Sequence, residues 1–138
     1  MRKIKFRGMI HNVNGRTGVW TYGYIRKINE SARSVVIQRF STLSKSCNTD
    51  IDTVGQYTGL KDKNGVEIYE GDIIESDGCL HVVRYDEDNA RFSAFNLGMR
   101  TDLEGCGLTK EWIEECGKVV IGNIHENHEL MKGGNREA

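Results

Sequence analysis

The chain reads as a mainly β protein, a β-rich α+β fold of antiparallel strands with one short helix. Three observations carry that reading. Short runs rich in β-branched and aromatic residues recur along the 138 residues, each bounded by Gly, Asn or Asp. Asn64-Gly65 lies between apolar runs, the strongest short-range hairpin signal, because a type I′ turn needs positive φ at both central residues. Only the stretch around Trp112 carries both a start and a stop signal for a helix. Proline is absent and glycine numbers 16, so the turns rest on Gly, Asn and Asp. The alternation of strands with helices that a nucleotide-binding α/β domain requires is missing.

The elements follow in order. Residues 3–7 alternate in polarity and predict an opening strand with Ile4 and Phe6 on one face. Residues 12–18 are loop chemistry. Residues 19–25 and 34–40 are strands by their aromatic and β-branched content. From Ser41 to Asp52 the chain is rich in Ser, Thr, Asn and Asp, which predicts a loop and a boundary. The expected division is residues 1–52, an N-terminal β subdomain, and residues 53–138, a small SH3-like barrel. That second half opens with a hairpin over residues 57–69. A strand then starts at Asp72 after the turn at Gly71, and residues 79–85 and 90–96 form a second hairpin across Asp86-Glu-Asp-Asn89. Thr109 is the expected N-cap of the helix, Glu111 suits its first turn, and Gly117 ends it. Residues 119–121 form a last strand, and Gly122-Asn123 turns into a polar tail.

Composition narrows the function classes. Lys and Arg number 19 against 20 Asp and Glu, for a net charge of −1. No global field draws polyanions, although Arg2, Lys3, Lys5 and Arg7 gather at the start. No apolar run approaches the ~18 residues needed to span a bilayer. The basic start has no apolar stretch behind it, unlike a secretory signal. Cys47, Cys79, Cys106 and Cys116 include no Cys-x-x-Cys pair, so four reduced thiols in a cytoplasm are expected rather than bridges or a zinc site.

Three stretches resemble the YopX family of phage and prophage proteins. One is Ile4-Lys5-Phe6-Arg7 with Trp20-Thr21-Tyr22-Gly23. Another is Gln56-Tyr-Thr-Gly-Leu-Lys-Asp-Lys-Asn-Gly-Val-Glu-Ile-Tyr-Glu-Gly-Asp-Ile-Ile74. The third is Val120-Ile-Gly-Asn-Ile-His-Glu-Asn-His-Glu-Leu130. Together they place a YopX-like domain over about residues 3–131. The resemblance implies a largely β protein, encoded by phages or prophages, with a small-barrel C-terminal half, and it implies no reaction. Two positions depart from the family pattern: His125 replaces an expected aromatic and His128 an expected proline.

Candidate chemistry is sparse. Asp62, Glu70 and Asp72 are carboxylates near glycines and admit a metal or acid–base site. Turn chemistry accounts for them more simply, with Asp62 opening the hairpin and Asp72 accepting backbone N–H bonds after Gly71. Tyr57, Gly59, Asn64, Gly65, Gly122 and Asn123 complete the signature hairpin and turns. His125 and His128 are spaced i, i+3, one residue short of the i, i+4 zinc-protease pair. His11 and His81 are isolated. Cys79 or Cys106 with His81 lacks a third orienting group. No Gly-x-Ser-x-Gly elbow or phosphate loop occurs. No catalytic residue, cofactor or metal is therefore assigned. Trp20, Tyr22 and Tyr24, spaced by two, line one strand face close to Arg7. Such a face serves as core or interface, or stacks bases in a single-strand nucleic-acid binder. The expectation is a non-enzymatic, cytoplasmic, phage-type accessory protein that self-associates and contacts another host or phage protein. Weak single-stranded nucleic-acid binding is the alternative.

Overall fold

In the computed structural model, which describes residues 3–10, 19–40, 45–97 and 105–133, β-strands dominate and form two antiparallel sheets. The chain divides into two units, Met1–Tyr57 and Thr58–Ala138.

The first unit carries β1 (Phe6–Met9), β2 (Trp20–Asn29), β3 (Ser34–Arg39), β4 (Ser46–Asp50) and the start of β5 (Gly55–Lys61), in the order β4-β3-β2-β1-β5. The opening strand starts at Phe6, and Ile4 is exposed rather than paired with Phe6 on an inner face. β2 runs to Asn29, beyond its expected end, because the β2–β3 ladder continues past a bulge between Ile25 and Lys27. Asn29 Oδ1 accepts from Ala32 N at 3.1 Å, and Arg33 closes the turn with φ 51°.

A loop was expected at residues 41–52, but β4 and a 3-10 turn (Ile51–Thr53) fill most of it. Residues 41–44 lie outside the described residues. The sequence Ser-Cys-Asn-Thr-Asp has little strand propensity, so its pairing with β3 decides its state. Only Thr49 is fully buried in it, and its hydroxyl donates to Val35 O at 2.7 Å. Asp50 caps the 3-10 turn through Asp52 N, and Thr53 Oγ1 donates to Asp50 O while accepting from Met9 N at 2.8 Å.

The inner face of this sheet holds Val35, Ile37, Thr21 and Thr49. Ile10 bridges Thr49, so the sheet curls until β1 meets β4. Two glycines permit the approach. A Cβ on Gly8 would stand 2.8 Å from Thr49 Cβ, and one on Gly23 only 1.8 Å from Gln38 O.

The second unit takes the rest of β5, then β6 (Glu67–Tyr69), β7 (Asp72–Ser76), β8 (Cys79–Asp86), β9 (Arg91–Asn96), β10 (Cys106–Gly107), α1 (Lys110–Glu114), a second 3-10 turn (Glu115–Gly117), β11 (Val119–Asn123) and α2 (His128–Gly133). Ile68, Ile74, Val83, Leu108 and Ile113 form its core, with Leu60, Phe92, Trp112 and Val120 packed around them. Thr109 caps α1 by accepting from Trp112 N at 3.1 Å, as its position predicts.

Two expectations change in this unit. The five-stranded sheet, β10-β9-β8-β7-β11, is open and not a closed barrel. β10 is only two residues long. The free side of β11 is used by the hairpin instead: Val120 N donates to Asp62 Oδ2, and Lys118 O accepts from Lys63 N. The polar tail contains a second short helix, α2, started where Leu130 N bonds to Asn127 O.

Candidate functional site

The signature segment builds turns, and its carboxylates are committed to them. Asp62 is nearly buried, at 7% exposure. Its Oδ1 accepts from Asn64 N at 2.8 Å and Val66 N at 2.9 Å, and its Oδ2 accepts from Val120 N at 2.9 Å. Asp62 N donates to Val66 O, and Gly65 N donates to Asp62 O. Gly65 has φ +83° while Asn64 is not in the left-handed region. The turn is therefore type I closed by a left-handed glycine, not the expected type I′. The carboxylate explains this, because holding the Asn64 and Val66 amides together fixes Asn64 in a right-handed conformation.

The second turn follows the expectation. Asp72 is 2% exposed and its Oδ2 accepts from Tyr69 N at 2.8 Å, over Gly71 at φ +89°. Gly71 N donates to Val83 O, and Gly71 O accepts from Ile124 N. Gly59 is also left-handed, at φ +90°, and Thr58 Oγ1 donates to Ile68 O beside it. Tyr57 is buried, with the Lys5 ammonium 5.0 Å from its ring centroid.

Asn123 is the third hub. Its Oδ1 accepts from His125 N and Glu126 N, its Nδ2 donates to Glu126 Oε1, and its own N donates to Asn127 Oδ1. Gly122 is bare because a Cβ there would lie 2.3 Å from that Asn127 oxygen. His128 turns its ring toward the His125 carbonyl at 3.0 Å. Among the described residues no group of three or more His, Cys, Asp or Glu is placed to hold a metal. His81 sits edge-on to Trp112, with centroids 5.2 Å apart. Cys47, Cys79 and Cys106 are free thiols. His11 lies outside the described residues.

Asp86 behaves differently from Asp62 and Asp72 because it is only partly covered, at the end of β8. The Asn89 side-chain amide, at 2.8 Å, holds its carboxyl below the usual carboxylate range, helped by the Asn89 and Asp88 backbone amides and the Arg91 charge. This is turn chemistry over Asp86-Glu-Asp-Asn89.

The aromatic stripe is where the structure departs most from the core reading. Along β2, Thr21 and Gly23 point inward, while Tyr22 and Tyr24 are each 44% exposed. Phe40 joins them at 50% exposure, its ring 5.8 Å from that of Tyr24. Trp20 shares their face but is partly covered by Arg7, whose guanidinium lies 4.3 Å from the indole centroid. Arg7 stands opposite Tyr22 in the register and is only 6% exposed. The stripe is thus an outer surface of three exposed rings beside a stacked Trp20–Arg7 pair.

The YopX protein family matches residues 5–132. The chain belongs to the YopX family. The crystal structure of protein EF1440 from Enterococcus faecalis is similar over 95% of this chain and 99% of its own, at 27% identity and a TM-score of 0.56. A comparison with curated proteins gives no match. In this YopX family protein the signature positions Asp62, Gly65, Gly71, Asp72, Gly122 and Asn123 form the turns just described. No helix among the described residues is long and apolar enough to cross a membrane.

Proposed function

We propose that this YopX family protein is a non-catalytic accessory protein, phage- or prophage-encoded and cytoplasmic in the bacterial host, that self-associates and works through protein contacts. The observation that carries the proposal is the exposed cluster of Tyr22 and Tyr24 on the outer face of β2 with Phe40 just after β3. Scattered surface apolar residues are normal, but adjoining exposed rings on one strand face suit a protein interface. Tyr in particular supplies large contact area at low entropy cost. The commitment of Asp62 and Asp72 to backbone N–H groups supports the non-catalytic part, since both carboxylates already have a structural task.

The same rings are able to stack bases, which keeps single-strand nucleic-acid binding as the second reading. Of the basic residues Lys3, Lys5 and Arg7 that this reading would turn to phosphates, Arg7 is buried against Trp20. A fluorescence-anisotropy titration with single-stranded and duplex oligonucleotides near physiological salt separates the two readings. The proposal expects no association. Binding at about 1 μM or tighter that weakens steeply with salt would replace it with the nucleic-acid reading.

A further inference from the structure

A cleft of about 350 Å³ in the second unit opens between the β5–β6 turn and α1. Lys61, Lys63, Lys110 and Glu114 line it, and the buried Ile113 provides an apolar floor. The three lysines come from two elements that are firmly tied. The Asp62 carboxylate fixes the turn through three backbone amides, and Lys63 N donates to Lys118 O at 3.2 Å. The Thr109 cap fixes α1, whose first residue is Lys110. Gly117, at φ +61°, makes room for one ammonium, since a Cβ there would stand 3.2 Å from Lys63 Nζ.

The charge balance of the cleft is uneven. Asp62 lines it too, but both its oxygens face backbone N–H groups. The lining thus carries three ammonium groups against two carboxylates, of which only that of Glu114 is turned away from backbone N–H groups. Among the described residues none of the three lysine side chains, nor that of Glu114, has an ion pair or hydrogen bond. Exposed charges do pair elsewhere in this chain, as Arg33 does with Asp52. Gathered like charges repel and raise the local potential for an anion.

We propose that this cleft binds a small phosphate monoester, its phosphoryl dianion held by Lys61, Lys63 and Lys110 and its organic body resting on Ile113. Lysine binds phosphate as a point charge, which suits three ammonium groups on separate backbones better than a fixed fork would. The volume lies at the small end of ligand cavities, room for a phosphate with a short organic group. The site belongs to the second unit and does not depend on the aromatic face of β2.

The test is a titration of the full-length protein, followed by amide NMR shifts, with glycerol 3-phosphate, inorganic phosphate, and sodium chloride at matched ionic strength. Glycerol 3-phosphate should saturate shifts at Lys63, Ile113 and Gly117 with a Kd of about 1 mM or tighter. Inorganic phosphate should bind the same amides more weakly, and chloride should not reproduce the effect. Lys63→Gln with Lys110→Gln should weaken binding by about tenfold or more at an unchanged melting temperature, since both side chains are exposed. Glu114→Gln should tighten it, an outcome no loss of structure would produce. Shifts reproduced by chloride, or unchanged affinity in the double lysine variant, would overturn the site. Equal binding of inorganic phosphate would contradict the role given to Ile113.

Discussion

Removing the Asp62 carboxylate should cost the second unit a large part of its stability. Asp62→Ala deprives three backbone N–H groups of their acceptor. Asn64 and Val66 are exposed, so water can reach their amides, and each loss is worth about 0.5–1.5 kcal/mol. The Val120 amide faces the partly buried side of β11, where an unpartnered donor costs about 1–3 kcal/mol. Together these give about 2–6 kcal/mol, against a typical domain stability of about 5–15 kcal/mol. Asp62→Asn keeps one acceptor but turns an amide donor toward Val120 N, for a smaller loss of about 1–3 kcal/mol. Asn64→Ala is the control: because Asn64 is not left-handed, its change should stay within about 0.5 kcal/mol. Urea unfolding followed by tryptophan fluorescence gives all three values. An Asp62→Ala variant within 0.5 kcal/mol of the parent, roughly the scatter of a neutral surface change, would refute the clamp. A costly Asn64→Ala would restore the type I′ turn.

Gly65→Val should destabilise by about 1 kcal/mol or more through backbone strain alone, since nothing lies within 4 Å of a Cβ there. Gly122→Ala should cost at least as much by displacing Asn127, and thermal melts compare both with the parent. The Asp86 carboxyl should titrate below an ordinary aspartate by NMR, and Asn89→Ala should move it upward. Its pKa is depressed by folding, so its contribution is present above the unfolded value and lost as pH falls through the folded one; an unmoved Asp86 in Asn89→Ala would remove that cause. Alkylation of denatured, non-reduced protein should add four groups, one for each of Cys47, Cys79, Cys106 and Cys116, whereas two fewer would reveal a disulfide.

Much of the strand architecture was legible because it depends on local pattern. The hairpin before Glu67, the turn at Gly71, the Thr109 cap and the turn at Asp86 all follow from residue types at fixed offsets. What the sequence could not show depends on distant partners. Asp62 is bonded to Val120, a residue 58 positions away, a partner that no local pattern could indicate. β4 has only Thr49 as a strong strand former and is held by its neighbour β3. The period of two in Trp20, Tyr22 and Tyr24 showed that they share a face but not which face. Gly8 and Gly23 settle that, because the inner side admits only close backbone packing around Thr21 and Thr49. The lysine cleft was missed for the same reason: Lys61-Asp62-Lys63 is visible as a charge pattern, but Lys110 joins it only through the packing of α1.

The central claim is that the outer face of β2 is an interface, and sedimentation velocity over a range of protein concentrations tests it most directly. The wild-type chain should sediment as a stable oligomer. Tyr22→Ser with Tyr24→Ser should sediment as a folded monomer with an unchanged circular dichroism spectrum, since both side chains are exposed in the single chain. A wild-type protein that remains monomeric at all concentrations, or a double variant that assembles as the parent does, would contradict it.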